Sequence, residues 1–165
     1  MRSPTRRTAV GAATLLVAAS MAVAVPASAD DGHHHWGHSR SATLLQADLV
    51  GSLTTDPLLA GTKPGGADWT VGRSTGKVRT DGRVDVKVRD LVLTSTGANP
   101  VPQISASLVC NGVVVSSTDP VRYSTDGDAR IRDRFTVPAR CLAPALLLNP
   151  LDRVDTYIAA SGAAR

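Results

Sequence analysis

Apolar and polar side chains alternate over much of this chain, and the alternation predicts β-strands. Between Arg83 and Arg89, three valines at every second position alternate with charged side chains. Successive side chains of a strand point to opposite faces, so this segment places its valines in a core and its charges in solvent. A one-residue slip in strand pairing would bury four charges, and the register is therefore strongly set.

Tight turns between the alternating segments predict hairpins. The two clearest turn sequences are Thr80-Asp81-Gly82 and Asn111-Gly112. Asn-Gly favours the two-residue hairpin turn because both residues tolerate a positive φ. In chain order, the predicted strands are 43–50, 69–79, 83–93, 103–110, 113–118, 121–124, 129–137 and 156–161.

Composition supports an all-β fold. All 14 acidic residues are aspartate, and only three lysines are present, so ordinary helix formers are scarce. An apolar run begins at Cys141, but Pro144 argues against a regular helix there. We expect a two-sheet antiparallel β-sandwich with immunoglobulin-like topology, and a small β-barrel is the alternative.

The first 29 residues have the features of an export signal. A basic start precedes an apolar segment from Val10 to Val25, which ends before Ala27-Ser28-Ala29. The apolar segment is too short and interrupted for a stable membrane anchor. We therefore expect a secreted protein whose mature form has no membrane anchor. The predicted organisation is a signal peptide at 1–29, a flexible His-rich leader at 30–42, one β-sandwich domain at 43–162 and a tail at 163–165.

The net charge limits which classes of partner the mature chain is expected to bind. Removing 29 of the 165 residues leaves 136, and the removed segment takes away three arginines and no acid. The mature chain then has 15 basic and 14 acidic side chains, a net charge of +1. The high isoelectric point of the whole chain therefore overstates any tendency to bind nucleic acid, and no nucleic-acid partner is expected.

Cys110 and Cys141 are the two cysteines of the chain, and an exported protein favours their pairing as a disulfide. Cys110 shares its phase with Ile104 and Leu108, so its sulfur is expected to face the core. A free reactive thiol is the alternative.

Histidine is confined to the leader, at His33, His34, His35 and His38. The predicted domain therefore offers no histidine for a Ser–His–Asp or Cys–His arrangement, and we assign no catalytic residue and no cofactor. The leader imidazoles could bind Cu(II), Ni(II) or Zn(II). A soluble tail without a metal role is the alternative.

Four segments resemble parts of uncharacterised small secreted β-sandwich proteins of high-GC actinobacteria. They read GGADW at 65–69, ASLVCNG at 106–112, DGDARI at 126–131 and PARCLAPA at 138–145. The resemblance implies a secreted single-domain protein and carries no catalytic residue to this chain.

These observations favour a secreted, non-catalytic binding domain whose partner is an extracellular protein or a wall polymer. A protease inhibitor with loop 54–67 as its inserted segment is one version. Cationic side chains could form a stripe if the strands that carry them are neighbours, and such a stripe could bind a polyanionic wall polymer. Interspersed Asp85 and Asp133 weaken its field, and a solvated strand face is the default alternative. The alternatives are an aspartate-dependent hydrolase and metal binding through the leader. The side chains of the stripe are Arg83, Lys87, Arg89, Arg130, Arg132 and Arg134.

Overall fold

The computed structural model describes residues 41–162. The predicted signal peptide, the tail at 163–165 and all but the last two residues of the predicted leader lie outside the described residues. Within 41–162 there is no helix long and apolar enough to cross a membrane.

The described chain is built from β-strands and the turns between them. The strands are β1 Thr43–Ala47, β2 Leu49–Gly51, β3 Lys63–Pro64, β4 Trp69–Thr70, β5 Arg73–Arg79, β6 Arg83–Arg89, β7 Val92–Leu93, β8 Gln103–Cys110, β9 Val113–Ser117, β10 Val121–Arg122, β11 Ala129–Arg134, β12 Ala145–Pro150, β13 Thr156–Tyr157 and β14 Ala159–Ser161.

Two antiparallel sheets form the domain. The four-stranded sheet has the order β1-β5-β6-β11, and the six-stranded sheet has the order β10-β8-β12-β14-β2, with β9 also paired to β8. Side chains of both sheets meet in one buried cluster that includes Val86, Ile131, Leu108 and Leu146. The predicted β-sandwich is confirmed, and the sheets of the described residues do not close into a barrel.

Apart from β1 and β2, the two sheets have the strand order of an immunoglobulin constant-type domain with the chain direction reversed. Such a domain places its first, second, fifth and fourth strands in one sheet and its third, sixth and seventh in the other. Counted from the carboxyl end, the first of these sheets corresponds to β14, β12, β8 and the β9/β10 pair. The second corresponds to β11, β6 and β5. The neighbours are therefore immunoglobulin-like, whereas the connections run in the opposite sense.

The amino-terminal strand bridges the edges of both sheets. Its first half, β1, pairs with β5 through Gln46 and Lys77, and its second half, β2, pairs with β14 through Val50 and Ala160. At the crossing, the Ser74 hydroxyl accepts a hydrogen bond from the Leu49 amide and donates one to the Leu49 carbonyl. The sequence predicts a single strand at 43–50, and the structure divides it at Asp48.

The long hairpin of β5 and β6 has the predicted turn and phase. Its connection places Gly82 at φ +87°, a conformation that glycine adopts without strain. Val84, Val86 and Val88 are buried, as the alternation predicts. Both arms are shorter than predicted because β4 and β7 separate from them and pair with each other. The break after β6 falls at Asp90, whose φ is +54°.

The sequence did not predict β12, the strand that lies between β8 and β14. Leu146 and Leu148 face the core, and Leu147 packs on the other side of the sheet with Val109 and Tyr157. Both faces of β12 are therefore covered, which explains an apolar run without alternation.

Candidate functional site

The two cysteines are joined where β8 ends. A disulfide links Cys110 to Cys141 of the β11–β12 connection, with their Cα atoms 4.9 Å apart. Cys110 is fully buried, in phase with Ile104 and Leu108 as expected. The described residues contain no free cysteine, so this pair supplies no nucleophilic thiol.

Asn111 clamps the loop that carries Cys141. Its Oδ1 accepts a hydrogen bond of 2.9 Å from the Leu142 amide, and its Nδ2 donates one of 3.1 Å to the Arg140 carbonyl. The backbone amide of Asn111 donates to the Leu142 carbonyl at 2.8 Å. The disulfide loop is thus fixed on both sides of Cys141, which indicates a structural role.

The exposed side of the four-stranded sheet gathers cations from three adjacent strands. β11 pairs with β6 and β6 with β5, so their outward side chains lie side by side. We call this surface the cationic face. It consists of Arg73, Lys77 and Arg79 of β5, Arg83, Lys87 and Arg89 of β6, and Arg130, Arg132 and Arg134 of β11.

The pairing sets cations directly opposite one another. Lys87 lies opposite Arg130, and Arg83 opposite Arg134, across β6 and β11. Arg73 and Arg89 are opposite one another across β5 and β6. Like charges in directly opposed positions destabilise a sheet unless neighbouring acceptors offset them.

Asp85 is the carboxylate in the middle of the cationic face. Its neighbours across the strands are Lys77 and Arg132. Asp85 Oδ2 accepts a hydrogen bond of 2.8 Å from Arg130 and lies 3.5 Å from Arg132 Nε. The hydrogen bond from Arg130 lowers the pKa of Asp85 below its usual value, against partial desolvation. Asp85 is therefore ionised at neutral pH and offsets part of the surrounding charge.

Beside the hairpin turn, the cationic face has a concavity of about 490 Å³. Asp81 lies at the turn, where its carboxylate accepts a hydrogen bond of 2.7 Å from Arg83 Nε and its carbonyl accepts one from Arg134. Desolvation raises the pKa of Asp81, but the hydrogen bonds from Arg83 outweigh it and lower the pKa to about 2. The concavity is lined by Lys77, Arg79, Arg83, Val84, Asp85, Arg132, Asp133 and Arg134.

Folding separates the charges of the chain. Residues 41–162 contain 13 basic and 12 acidic side chains. The cationic face holds nine of the basic ones, against Asp81, Asp85, Asp128 and Asp133 at its centre and margins. Four basic and eight acidic side chains remain for the rest of the domain. A net charge near zero is thus compatible with a strongly positive surface. The net charge of the chain did not predict this surface.

Register explains which members of the face were predicted. The six cations of β6 and β11 were named as a stripe that depends on the two strands being neighbours, and the structure makes them neighbours. Arg73, Lys77 and Arg79 of β5 were not named. They occupy alternate, outward positions beside buried Gly76 and Val78, so the alternation of β5 was the signal that could have found them.

A second, apolar groove of about 620 Å³ lies between β2, β14 and the loop after β2. Among the described residues that line it, Asp56 alone carries a charge. The loop is held against the six-stranded sheet because the Tyr157 hydroxyl donates to the Pro57 carbonyl at 2.8 Å. Leu58 is 66% exposed at its tip, within the segment that the sequence suggested for protease inhibition. That inhibitor role stays a prediction.

Two further aspartates hold a turn and a strand edge. Asp128 accepts a hydrogen bond from the Asp90 amide and lies 3.8 Å from Arg89. Asp133 is exposed on the edge strand β11 and accepts a hydrogen bond from the Asp119 amide. No group of three or more metal-ligating side chains occurs among residues 41–162. The four histidines predicted to bind metal lie outside the described residues.

Trp69 is buried in the core cluster. In the comparisons with known proteins, no family model, no curated protein and no solved structure matches the chain.

Proposed function

We propose that this chain is a secreted, non-catalytic module that binds an anionic wall polymer through the cationic face. The observation that carries the proposal is the direct opposition of cations across neighbouring strands, at Lys87 with Arg130 and at Arg83 with Arg134. A surface that retains such repulsion gains when an anion lies between the opposed charges. The exposure of these four side chains leaves them accessible to a polymer.

Secretion is part of the proposal. The disulfide between Cys110 and Cys141 suits an oxidising compartment outside the cytoplasm. Protein recovered from the culture medium is expected to begin at or near Asp30. A product that remains in the cytoplasm and begins at Met1 would contradict secretion.

The pKa values of the aspartates support binding rather than hydrolysis. A glycosidase needs one carboxylic acid whose pKa is raised. Three aspartates of the described domain shift in the opposite direction: a backbone hydrogen bond from Thr54 lowers the pKa of Asp68, and hydrogen bonds from arginine lower the pKa values of Asp81 and Asp85.

The binding experiment compares two double variants of equal charge. Arg132→Gln with Arg134→Gln removes two cations of the face, whereas Arg122→Gln with Arg140→Gln removes two exposed cations elsewhere. Affinity for purified anionic wall polymer is expected to fall about tenfold or more in the first protein and less than twofold in the second. Raising the salt from about 0.05 M to about 0.5 M is expected to release the wild-type protein. Equal losses in the two variants, or no binding by the wild type, would refute the proposed surface.

A further inference from the structure

One oxygen of Asp85 is left open in the centre of the cationic face. Its contacts with Arg130 and Arg132 both involve Oδ2. Among the described residues, no side chain or amide donates a hydrogen bond to Oδ1. The side chain of Asp85 is 47% exposed, so its carboxylate is accessible to a ligand. The other carboxylate of the concavity differs, because Asp133 uses Oδ1 for the Arg134 amide and Oδ2 for the Asp119 amide.

A carboxylate at this position opposes simple anion binding. Asp85 repels any anion that approaches Arg130 and Arg132. It also competes with that anion for their guanidinium groups, because both groups already contact the Asp85 carboxylate. A ligand compensates for this only if it brings a hydrogen-bond donor next to its negative charge. Hydroxyl groups are such donors, and a hydroxyl bonded to an ionised carboxylate makes a charge-assisted hydrogen bond.

We infer that Asp85 makes the cationic face selective for polyanions that carry hydroxyl groups beside their charges, such as a polyol phosphate or a polyuronate. In this arrangement the arginines contact the phosphate or carboxylate groups, and Asp85 Oδ1 accepts from a neighbouring hydroxyl. The inference rests on the proposed binding function and names the chemistry of the polymer. Asp85 is thus a specificity-determining residue rather than only a counter-ion.

The test uses four polymers of matched length and charge at one ionic strength. Poly(glycerol phosphate) and polygalacturonate carry hydroxyl groups, whereas inorganic polyphosphate and polyacrylate carry no hydrogen-bond donor. We expect a hydroxyl-bearing polymer to bind the wild-type protein about three- to tenfold more tightly than the bare polymer with the same anionic group. The anionic group with the larger advantage identifies the source of the ligand, phosphate or carboxylate.

Two variants of equal charge at Asp85 distinguish the effect of its hydrogen-bond acceptor from the effect of its negative charge. Asp85→Ala and Asp85→Asn both remove the carboxylate, and both are expected to bind the bare polymers more tightly than the wild type. Asp85→Asn keeps a carbonyl acceptor, so it should retain part of the hydroxyl preference, whereas Asp85→Ala should lose it. Asp126→Ala, at an exposed aspartate outside the cationic face, is the control and should leave the preference unchanged.

The outcomes distinguish the inference from the function on which it rests. Equal affinities for hydroxyl-bearing and bare polymers overturn the role of Asp85 while leaving the cationic face as a binding surface. A hydroxyl preference that survives in Asp85→Ala also overturns it. Failure to bind all four polymers removes the proposed function itself.

Discussion

Lys87 on β6 and Arg130 on β11 occupy directly opposed positions on the exposed side of the four-stranded sheet. Two positive charges therefore face each other where an antiparallel sheet would gain from opposite charges. Two residues along β6, Asp85 has the favourable arrangement, with Lys77 opposite it on one side and Arg132 on the other. The face thus combines a repulsive position and an attractive position on one strand.

Replacing Lys87 by threonine is expected to stabilise the fold and weaken binding. Loss of the repulsion with Arg130 should raise the free energy of unfolding by about 0.2–1 kcal/mol. Affinity for the anionic polymer should fall about fivefold, which corresponds to ~1 kcal/mol. Urea unfolding and a binding titration measure the two effects. The control is Lys77→Thr, which removes a cation directly opposite Asp85 and should lower stability instead. A fall in stability for both variants would contradict the account of the opposed cations.

Acid is expected to destabilise the domain through Asp81. The pKa of this group is about 2 in the folded state against 3.8 as the reference value. A lowered pKa means that the stabilising contribution is present above the reference value and is lost as the pH falls from about 4 to 2. Urea unfolding at stepwise pH over this interval measures the loss. Asp81→Asn should show a smaller loss between those pH values, and an identical slope would exclude Asp81 as the cause.

Binding to the cationic face is expected to be independent of pH between 5 and 8. Arginine and lysine stay charged over this interval, and the hydrogen bond from Arg130 keeps the pKa of Asp85 below 3.8. The domain at 43–162 contains no histidine that could titrate there. Polymer affinity measured at constant ionic strength should therefore be flat. A steep change near pH 6 would instead assign binding to the histidines of the leader.

Removing the disulfide is expected to cost about 3–4 kcal/mol of stability. The cysteines are separated by 31 residues, and the chain-entropy estimate for a loop of that length gives this magnitude. The urea midpoint of the Cys110→Ala, Cys141→Ala double variant tests it. Polymer affinity of the folded variant should be unchanged, because neither cysteine belongs to the cationic face. A stability loss below ~1 kcal/mol would show that Asn111 alone holds the loop.

The crossing of the amino-terminal strand depends on a close backbone contact at Gly51. A Cβ atom added there would lie 2.2 Å from the Trp69 carbonyl oxygen, which backbone atoms cannot relieve cheaply. Gly51→Ala should therefore lower stability by about 1–3 kcal/mol, as overpacking does. Gly66→Ala is the control, since nothing lies within 4 Å of its added Cβ. Similar unfolding midpoints for the two variants would show that β2 is not held in this way.

Local patterns sufficed for the strands that have one buried and one exposed face. In β6 the alternation gave the buried valines and the exposed charges. The pattern failed for β12, because both faces of that strand are covered and a short apolar run does not distinguish a strand from a helix. It also could not divide the segment 43–50, since the crossing depends on Ser74, 25 residues away from Leu49.

The candidate site required long-range pairing that the sequence does not encode locally. The stripe depended on β6 and β11 being neighbours, although four strands lie between them along the chain. Net charge pointed away from an anion-binding surface because it sums over both sides of the sandwich. That Asp85 Oδ1 has no hydrogen-bond donor depends on the positions of the neighbouring side chains in space, which a residue pattern does not give.

The concentration of cations on the four-stranded sheet gives the domain a preferred orientation. Near an anionic layer, the electric field turns the four-stranded sheet toward the layer and the predominantly acidic remainder away from it. The six-stranded sheet and the exposed Leu58 of its covering loop then point toward the surrounding medium. A molecule attached in this way coats a polymer with one side and presents a second, chemically different side to whatever approaches from outside.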